Sequence, residues 1–261
     1  MSFLLSSRAT RRPAACYASL TRLRHATSLR GVKPAPYGQA QPSSHPHMLQ
    51  PGEMTPGIQR SEYEARRARL MNTLPDGSIV VSAAASIKYM SEKIFYKYRQ
   101  NSDFWYLTGW QEPNAAIVMK KDPSAKKGYQ LAAFVAPKDE HAEKWDGARS
   151  GVDAAGELLC ADDAQTFDSF SSHLQVLVNS LRSNSGAGPS TSRPIVFADV
   201  SSHWLPSRTI MPEVVNFFES RHSGKRSLRR ELALMRAVKS PAEQQIMRAA
   251  ANITAEAHRK V

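Results

Sequence analysis

Four short apolar runs constrain the fold of this 261-residue chain more than any other feature: Ser78 to Ala83, Phe104 to Leu107, Ala115 to Met119 and Leu131 to Val135. Each is four to six residues long and bounded by Gly, Pro, Asn or Asp, the pattern of strands buried in a sheet. They follow one another without the long crossovers that parallel pairing needs, so antiparallel or mixed pairing is expected. Ile195-Val196-Phe197 adds another strand. Structure is expected to start near Gly57, with a helix opened by Ser61 and Glu64 at capping-box spacing and closed by Pro75-Asp76-Gly77. Ala155 to Cys160, Phe167 to Leu181 and Val214 to Ser220 read as further helices. Phe167, Phe170, Leu174, Leu177 and Leu181 share one face of the second of these. The expected class is α/β of the α+β kind, a mixed β-sheet flanked by helices.

The final helix has the most specific start signal. Ser240-Pro241-Ala242-Glu243 combines an N-cap serine, proline at the first helical position and glutamate three residues after the cap. Ile246, Ala250, Ile253 and Ala257 then form an apolar stripe, and no Gly, Asn or Pro closes the helix after them. Such a stripe needs a partner surface, either the sheet or a further domain.

The formal net charge is +12, which invites a nucleic-acid or anionic-membrane reading. Its location argues otherwise. Residues 1 to 52 contain no Asp or Glu, yet carry Arg8, Arg11, Arg12, Arg22, Arg24, Arg30 and Lys33 among Ser, Thr, Ala and Leu. That is the composition of a mitochondrial transit peptide, assigned to residues 1–36 with processing between Arg24 and Pro36. A secretory signal needs an apolar core of roughly 7–15 residues, and Phe3-Leu4-Leu5 is too short. No apolar run reaches the roughly 18–20 residues that span a bilayer, so no transmembrane segment is expected. Of the two cysteines, Cys16 lies in the presequence, leaving Cys160 alone in a mature chain. That suits a reducing compartment such as the mitochondrial matrix. A basic cluster at Arg221 to Arg226 with Arg229 and Arg230 keeps a nucleic-acid reading as the weakest alternative.

Residues 37–57, rich in Pro, Gly, Gln, Ser and His, read as a flexible linker or wrapped arm, and Ser183 to Ser192 as a flexible loop. Catalytic signatures are few. There is no Gly-rich phosphate loop, no G-x-S-x-G, no H-E-x-x-H and no paired C-x-x-C. Asp162-Asp163 reads as a solvated turn. Asp139, His141 and Glu143 read as an exposed loop after a strand rather than a metal site.

The most informative stretch runs from Arg99-Gln100-Asn101-Ser102-Asp103 through Phe104-Trp105-Tyr106-Leu107 to Thr108-Gly109-Trp110-Gln111-Glu112-Pro113. It reads as a buried strand between two polar turns. It is also closely similar to the R-Q-N-S-D-F-x-Y-L/F-T-G-x-x-E-P run of the aminopeptidase P (Xaa-Pro aminopeptidase) family. Trp145-Asp146-Gly147-Ala148-Arg149-Ser150-Gly151 resembles that family's W-x-G-x-R-x-G turn. Met235-Arg236-Ala237-Val238-Lys239-Ser240-Pro241 resembles the linker and first helix of its catalytic domain. The motifs occur in the family's order over residues 58–261.

The resemblance implies an N-terminal domain at 58–226, then a linker and the first helix of a pita-bread catalytic domain at 227–261. It implies a metalloaminopeptidase acting on peptide or protein N-termini, most like a mitochondrial member that trims imported proteins. Two divalent metals, usually manganese, would be held by two Asp, one His and two Glu whose motifs are expected outside this sequence. This chain alone is therefore expected to hold no catalytic residue and no metal, and to be inactive. A homo-oligomer is expected. Trp105 and Arg149 are the candidate substrate-binding residues. Trp105 could cover an apolar side chain or be core packing, and Arg149 could anchor a carboxylate or cap a turn. The alternative reading is a non-catalytic module that oligomerises with or regulates an intact peptidase.

Overall fold

A computed structural model of the chain describes residues 37–92, 94–184, 195–199 and 225–260. The presequence, the expected helix at Val214 to Ser220 and residues 185–192 of the expected loop lie outside these.

Residues 37–57 are not a flexible linker. They form an arm wrapped on the domain, with Gln39, Gln41, Leu49, Met54 and Thr55 all buried. Gly38 N donates to Ser150 Oγ at 3.1 Å, and Gln39 Oε1 accepts from Gln111 N at 2.8 Å. The arm ends in a small hairpin of β1 (Glu53–Thr55) and β2 (Ile58–Gln59). Structure therefore begins well before Gly57. Two glutamines are buried here beside Leu49 and Met54, a mixture that hydrophobic periodicity does not register.

Helix α1 (Arg60–Thr73) starts at Gln59 and not at Ser61, which makes no capping bond. Its buried face is Tyr63, Arg66, Arg67, Leu70 and Met71, an i, i+3, i+4, i+7, i+8 stripe in which two positions are arginine. Strands β3 (Ile79–Ala83), β4 (Ala116–Lys121) and β5 (Tyr129–Val135) form an antiparallel meander, as the spacing predicts. β6 (Asp163–Thr166), β7 (Val196–Ala198) and β8 (Lys225–Ser227) add on in parallel, giving the order β6-β5-β4-β3-β7-β8. The sheet is mixed and flanked by helices, as expected.

The strands are apolar at nearly every position because both faces are covered. Val80, Ile117, Met119, Leu131, Ala133, Val135 and Phe197 face one core with α1. Ile79, Val81, Val118, Ala132, Phe134 and Val196 face the other with Phe167, Phe170, Leu174 and Val178. Those last residues come from a short 3-10 turn and α5 (Phe170–Asn184). α4 (Gly151–Leu159) seats Ala155, Leu158 and Leu159 in the first core.

The run Phe104 to Leu107 is not a strand. It lies in helix α2 (Ser102–Thr108), where Asn101 caps the start by accepting from Asp103 N at 3.0 Å. Gly109, at φ 68°, closes it, donating its N–H to Trp105 O at 2.8 Å. The two polar turns read from the sequence are the two caps of one short helix, and a four-residue apolar run does not by itself distinguish the two outcomes. The loop expected at Lys138 to His141 is also partly helical. Asp139 caps α3 (Glu140–Asp146) by accepting from the N–H groups of His141 and Ala142.

Candidate functional site

A cleft of about 770 Å³ opens between α2 and the corner joining α6 (Arg229–Ala237) to α7 (Pro241–Arg259). Trp105 contributes to its wall, with Tyr98, Arg99 and Gln100 from the segment before α2, and Arg236, Lys239 and Glu243 from the corner.

Local chemistry holds each wall. Gln100 uses its whole amide. Its Oε1 accepts from Ala85 N (2.7 Å) and Asn101 N (2.9 Å), while its Nε2 donates to Trp110 O (3.2 Å) and Glu112 O (3.0 Å). Tyr98 donates its hydroxyl to the carbonyls of Ala85 and Glu112, and burial pushes its ionisation far above the ordinary phenol range. On the other wall, Asp103 pairs with Arg236. The last carbonyls of α6 are capped in turn: Lys239 Nζ donates to Arg236 O (2.6 Å) and Ala237 O (3.0 Å), and Tyr106 Oη to Met235 O (3.3 Å).

The corner is locked to α1. Ser240 and Glu243 form the capping box expected from the sequence. Ser240 Oγ also donates to Glu62 Oε1 (2.6 Å), and Arg66 pairs with both Glu62 (2.5 Å) and Glu243 (3.3 Å). The Arg66 guanidinium lies over the Tyr106 ring, 4.3 Å from its centre. Beyond this corner α7 has no buried residue, and Ile246 and Ile253 of its stripe stand 39% and 64% exposed.

Behind the cleft, two carboxyls are buried. Asp199, at the end of β7, accepts from Ser82 Oγ and from Ala83 N (3.2 Å). Burial, reinforced by Asp103, raises its pKa to about 7. Glu112 accepts from Ser150 Oγ and Ser150 N, and burial holds it above the usual carboxylate range.

Of the two candidates, Trp105 is half-buried on a helix and borders the cleft. Arg149 is elsewhere. It sits in the turn between α3 and α4, where its N–H donates to Glu143 Oε1 (3.2 Å) and its guanidinium pairs with Asp146 (3.0 Å). Among the cleft residues, sequence reading singled out neither Arg99, Arg236 nor Tyr98. Tyr98 and Arg99 stand close before the aromatic run, and Arg236 lies in the motif that precedes the last helix. Asp139 is engaged in capping α3, and Asp162 accepts from Leu131 N (2.7 Å) while Asp163 pairs with Gln165. Among the described residues no three His, Cys, Asp or Glu side chains converge. The two metals implied by the resemblance therefore have no donor set among the described residues, and what the cleft itself offers is aromatic and cationic binding chemistry.

The model of the aminopeptidase P N-terminal domain matches residues 63–184. Intermediate cleaving peptidase 55 of Saccharomyces cerevisiae is 32% identical over 232 residues, covering 85% of this chain and 43% of the relative. Its namesake in Arabidopsis thaliana, whose name includes "mitochondrial", is 34% identical over 223 residues, with 84% and 40% covered. The crystal structure of the yeast protein superposes with a TM-score of 0.59 at 31% identity, over 76% of this chain and 41% of that one. Escherichia coli aminopeptidase P superposes with a TM-score of 0.63 at 31% identity, over 77% and 44%. This chain thus spans less than half the length of the curated relatives it matches. It belongs to the aminopeptidase P family and carries that family's N-terminal domain.

Proposed function

We propose that this chain is the substrate-facing N-terminal portion of a metalloaminopeptidase of the Xaa-Pro or intermediate-cleaving type, working on the N-termini of peptides or imported proteins in the mitochondrial matrix. The observation that carries this reading is the cleft beside α7, with Trp105 half-buried in its wall and Arg99 exposed at its rim. An apolar side chain of a peptide would lie on Trp105, and Arg99 would meet a carboxylate or carbonyl. Arg149, held by Asp146, would serve as a second polar anchor outside this cleft. The hydrolytic centre, two divalent metals with manganese the first expectation, would come from a further domain. The greater length of the relatives and the open stripe of α7 support that. The acid-free, Arg-rich first 52 residues support mitochondrial import.

The test is peptide binding by the purified chain, read as Trp fluorescence with a short Xaa-Pro peptide, alongside hydrolysis by the longest product of the gene with manganese. Trp105→Ala should weaken binding about tenfold and raise KM without altering the melting temperature. Unchanged binding and kinetics would show Trp105 to be packing alone.

A further inference from the structure

The segment between β3 and α2 turns its apolar side chains outward. Tyr89 and Phe95 face each other in an antiparallel bridge. Met90 N donates to Ile94 O at 2.7 Å, and Tyr96 N to Lys88 O at 2.9 Å. The backbone thus closes a short hairpin by itself. Its large side chains remain in solvent, with Tyr89 54%, Met90 61%, Ile94 57%, Phe95 65% and Tyr96 52% exposed.

Successive cross-strand pairs point to opposite faces. Tyr89 and Phe95 therefore share one face, and Met90, Ile94 and Tyr96 the other. A hairpin that packs on a protein surface buries one face and wets the other, whereas this one is apolar on both. The five side chains offer on the order of 500 Å², short of the roughly 800 Å² each partner contributes to a standard protein interface. Divided between two faces, that area suits a medium that surrounds the hairpin better than a surface that meets one side.

The charges specify the medium. Residues 86–99 contain Lys88, Lys93, Lys97 and Arg99 against Glu92 as the one acid. Aromatic and aliphatic tips flanked by lysine are the chemistry of the bilayer interface, where rings and alkyl stems enter and ammonium groups stay with anionic headgroups. We infer that the hairpin 88–96 is a membrane-surface anchor that inserts its tip at the headgroup–acyl boundary of an anionic bilayer. It does not span. Among the described residues no helix is long and apolar enough to cross a membrane. Lys97, Tyr98 and Arg99 run directly from the hairpin into the cleft wall, so anchoring would bring the cleft to the membrane surface.

The test uses the full chain with vesicles of phosphatidylcholine alone and of phosphatidylcholine mixed equally with phosphatidylglycerol. Binding should favour the mixed vesicles and weaken with salt. The double variant Ile94→Ser/Phe95→Ser should lower partitioning about tenfold or more, and vesicles should protect the amides of 88–96 from hydrogen exchange. Residues 1–52 are the same in both proteins, so their basic charge cancels in the comparison. Lys97→Glu, which leaves the apolar tip intact, should weaken binding to the mixed vesicles only. Equal partitioning of wild type and double variant would overturn the inference. So would hairpin protection that needs no lipid and grows with protein concentration, which would identify a protein–protein contact instead.

Discussion

Arg66 of α1 and Glu243 of α7 meet at 3.3 Å, joining residues 177 positions apart and fixing where the last helix leaves the domain. Arg66 is 4% exposed, and its guanidinium also holds Glu62 and the Tyr106 carbonyl. Arg66→Met should therefore destabilise by about 3 kcal/mol, because two partly buried carboxylates lose their cation. Glu243→Gln should cost about 1 kcal/mol. Thermal melts report the stability. Hydrogen exchange at the start of α7 should rise more than exchange in the sheet.

Arg67 is 1% exposed and binds neutral acceptors: the carbonyls of Leu107 (2.9 Å) and Leu159 (2.8 Å) and the hydroxyl of Tyr129 (3.2 Å). The two carbonyls lie in the last turns of α2 and α4, where helix dipoles favour a cation. Arg67→Met should cost about 3 kcal/mol by orphaning these acceptors. Arg67→Lys should recover only part of that, since one ammonium cannot span three directions. Urea denaturation of the pair of variants separates the two terms.

Asp199 predicts a pH dependence of stability. Its folded pKa of about 7 lies above the ordinary aspartate value, so the folded state binds the proton more tightly than the unfolded state. The contribution is complete below the unfolded pKa of about 3.9 and is lost as pH rises through about 7. The loss is on the order of 4 kcal/mol at alkaline pH. Glu112, raised by burial, acts with the same sign. Melting temperatures measured from about pH 5 to about pH 8.5 should fall in the wild type. Asp199→Asn, which keeps the shape and removes the charge, should flatten most of that slope.

Gly109 closes α2 at φ 68°, and a Cβ there would lie 2.7 Å from Met54 Cγ and 2.8 Å from the Tyr63 ring. Gly109→Ala should destabilise by about 3 kcal/mol, combining left-handed strain with a collision against a packed core. Gly77→Ala is the control. Its φ is 73° but nothing lies within 4 Å, so its cost should stay near 1 kcal/mol. Equal losses in thermal melts would remove the argument from packing.

The strands β3, β4, β5 and β7 were readable because an apolar run between turn residues has few ways to hide from water. The capping box at Ser240 and Glu243 was readable because it is local: four residues carry the whole signal. The helix at Phe104 was misread because a run of four satisfies either period, and only the caps at Asn101 and Gly109 decide. Of the two readings of 37–57, flexible linker or wrapped arm, composition could not choose, because the arm is held in part by a glutamine amide and backbone groups. Within the site, Trp105 was legible as an aromatic in a distinctive motif. The role of Arg66 was not, since an arginine in a helix is polar on any scale until an acid 177 residues away reaches it.

The sequence by itself determined the strands β3, β4, β5 and β7, the start of α7 and the family, because all three reside in residues close together in the chain. Tertiary structure alone decided which arginines are buried, how Asp199 meets Ser82, and that a cleft lies between α2 and the α6–α7 corner. Those outcomes depend on partners distant in sequence, and burial changes the cost of a charge only once the partners have arrived.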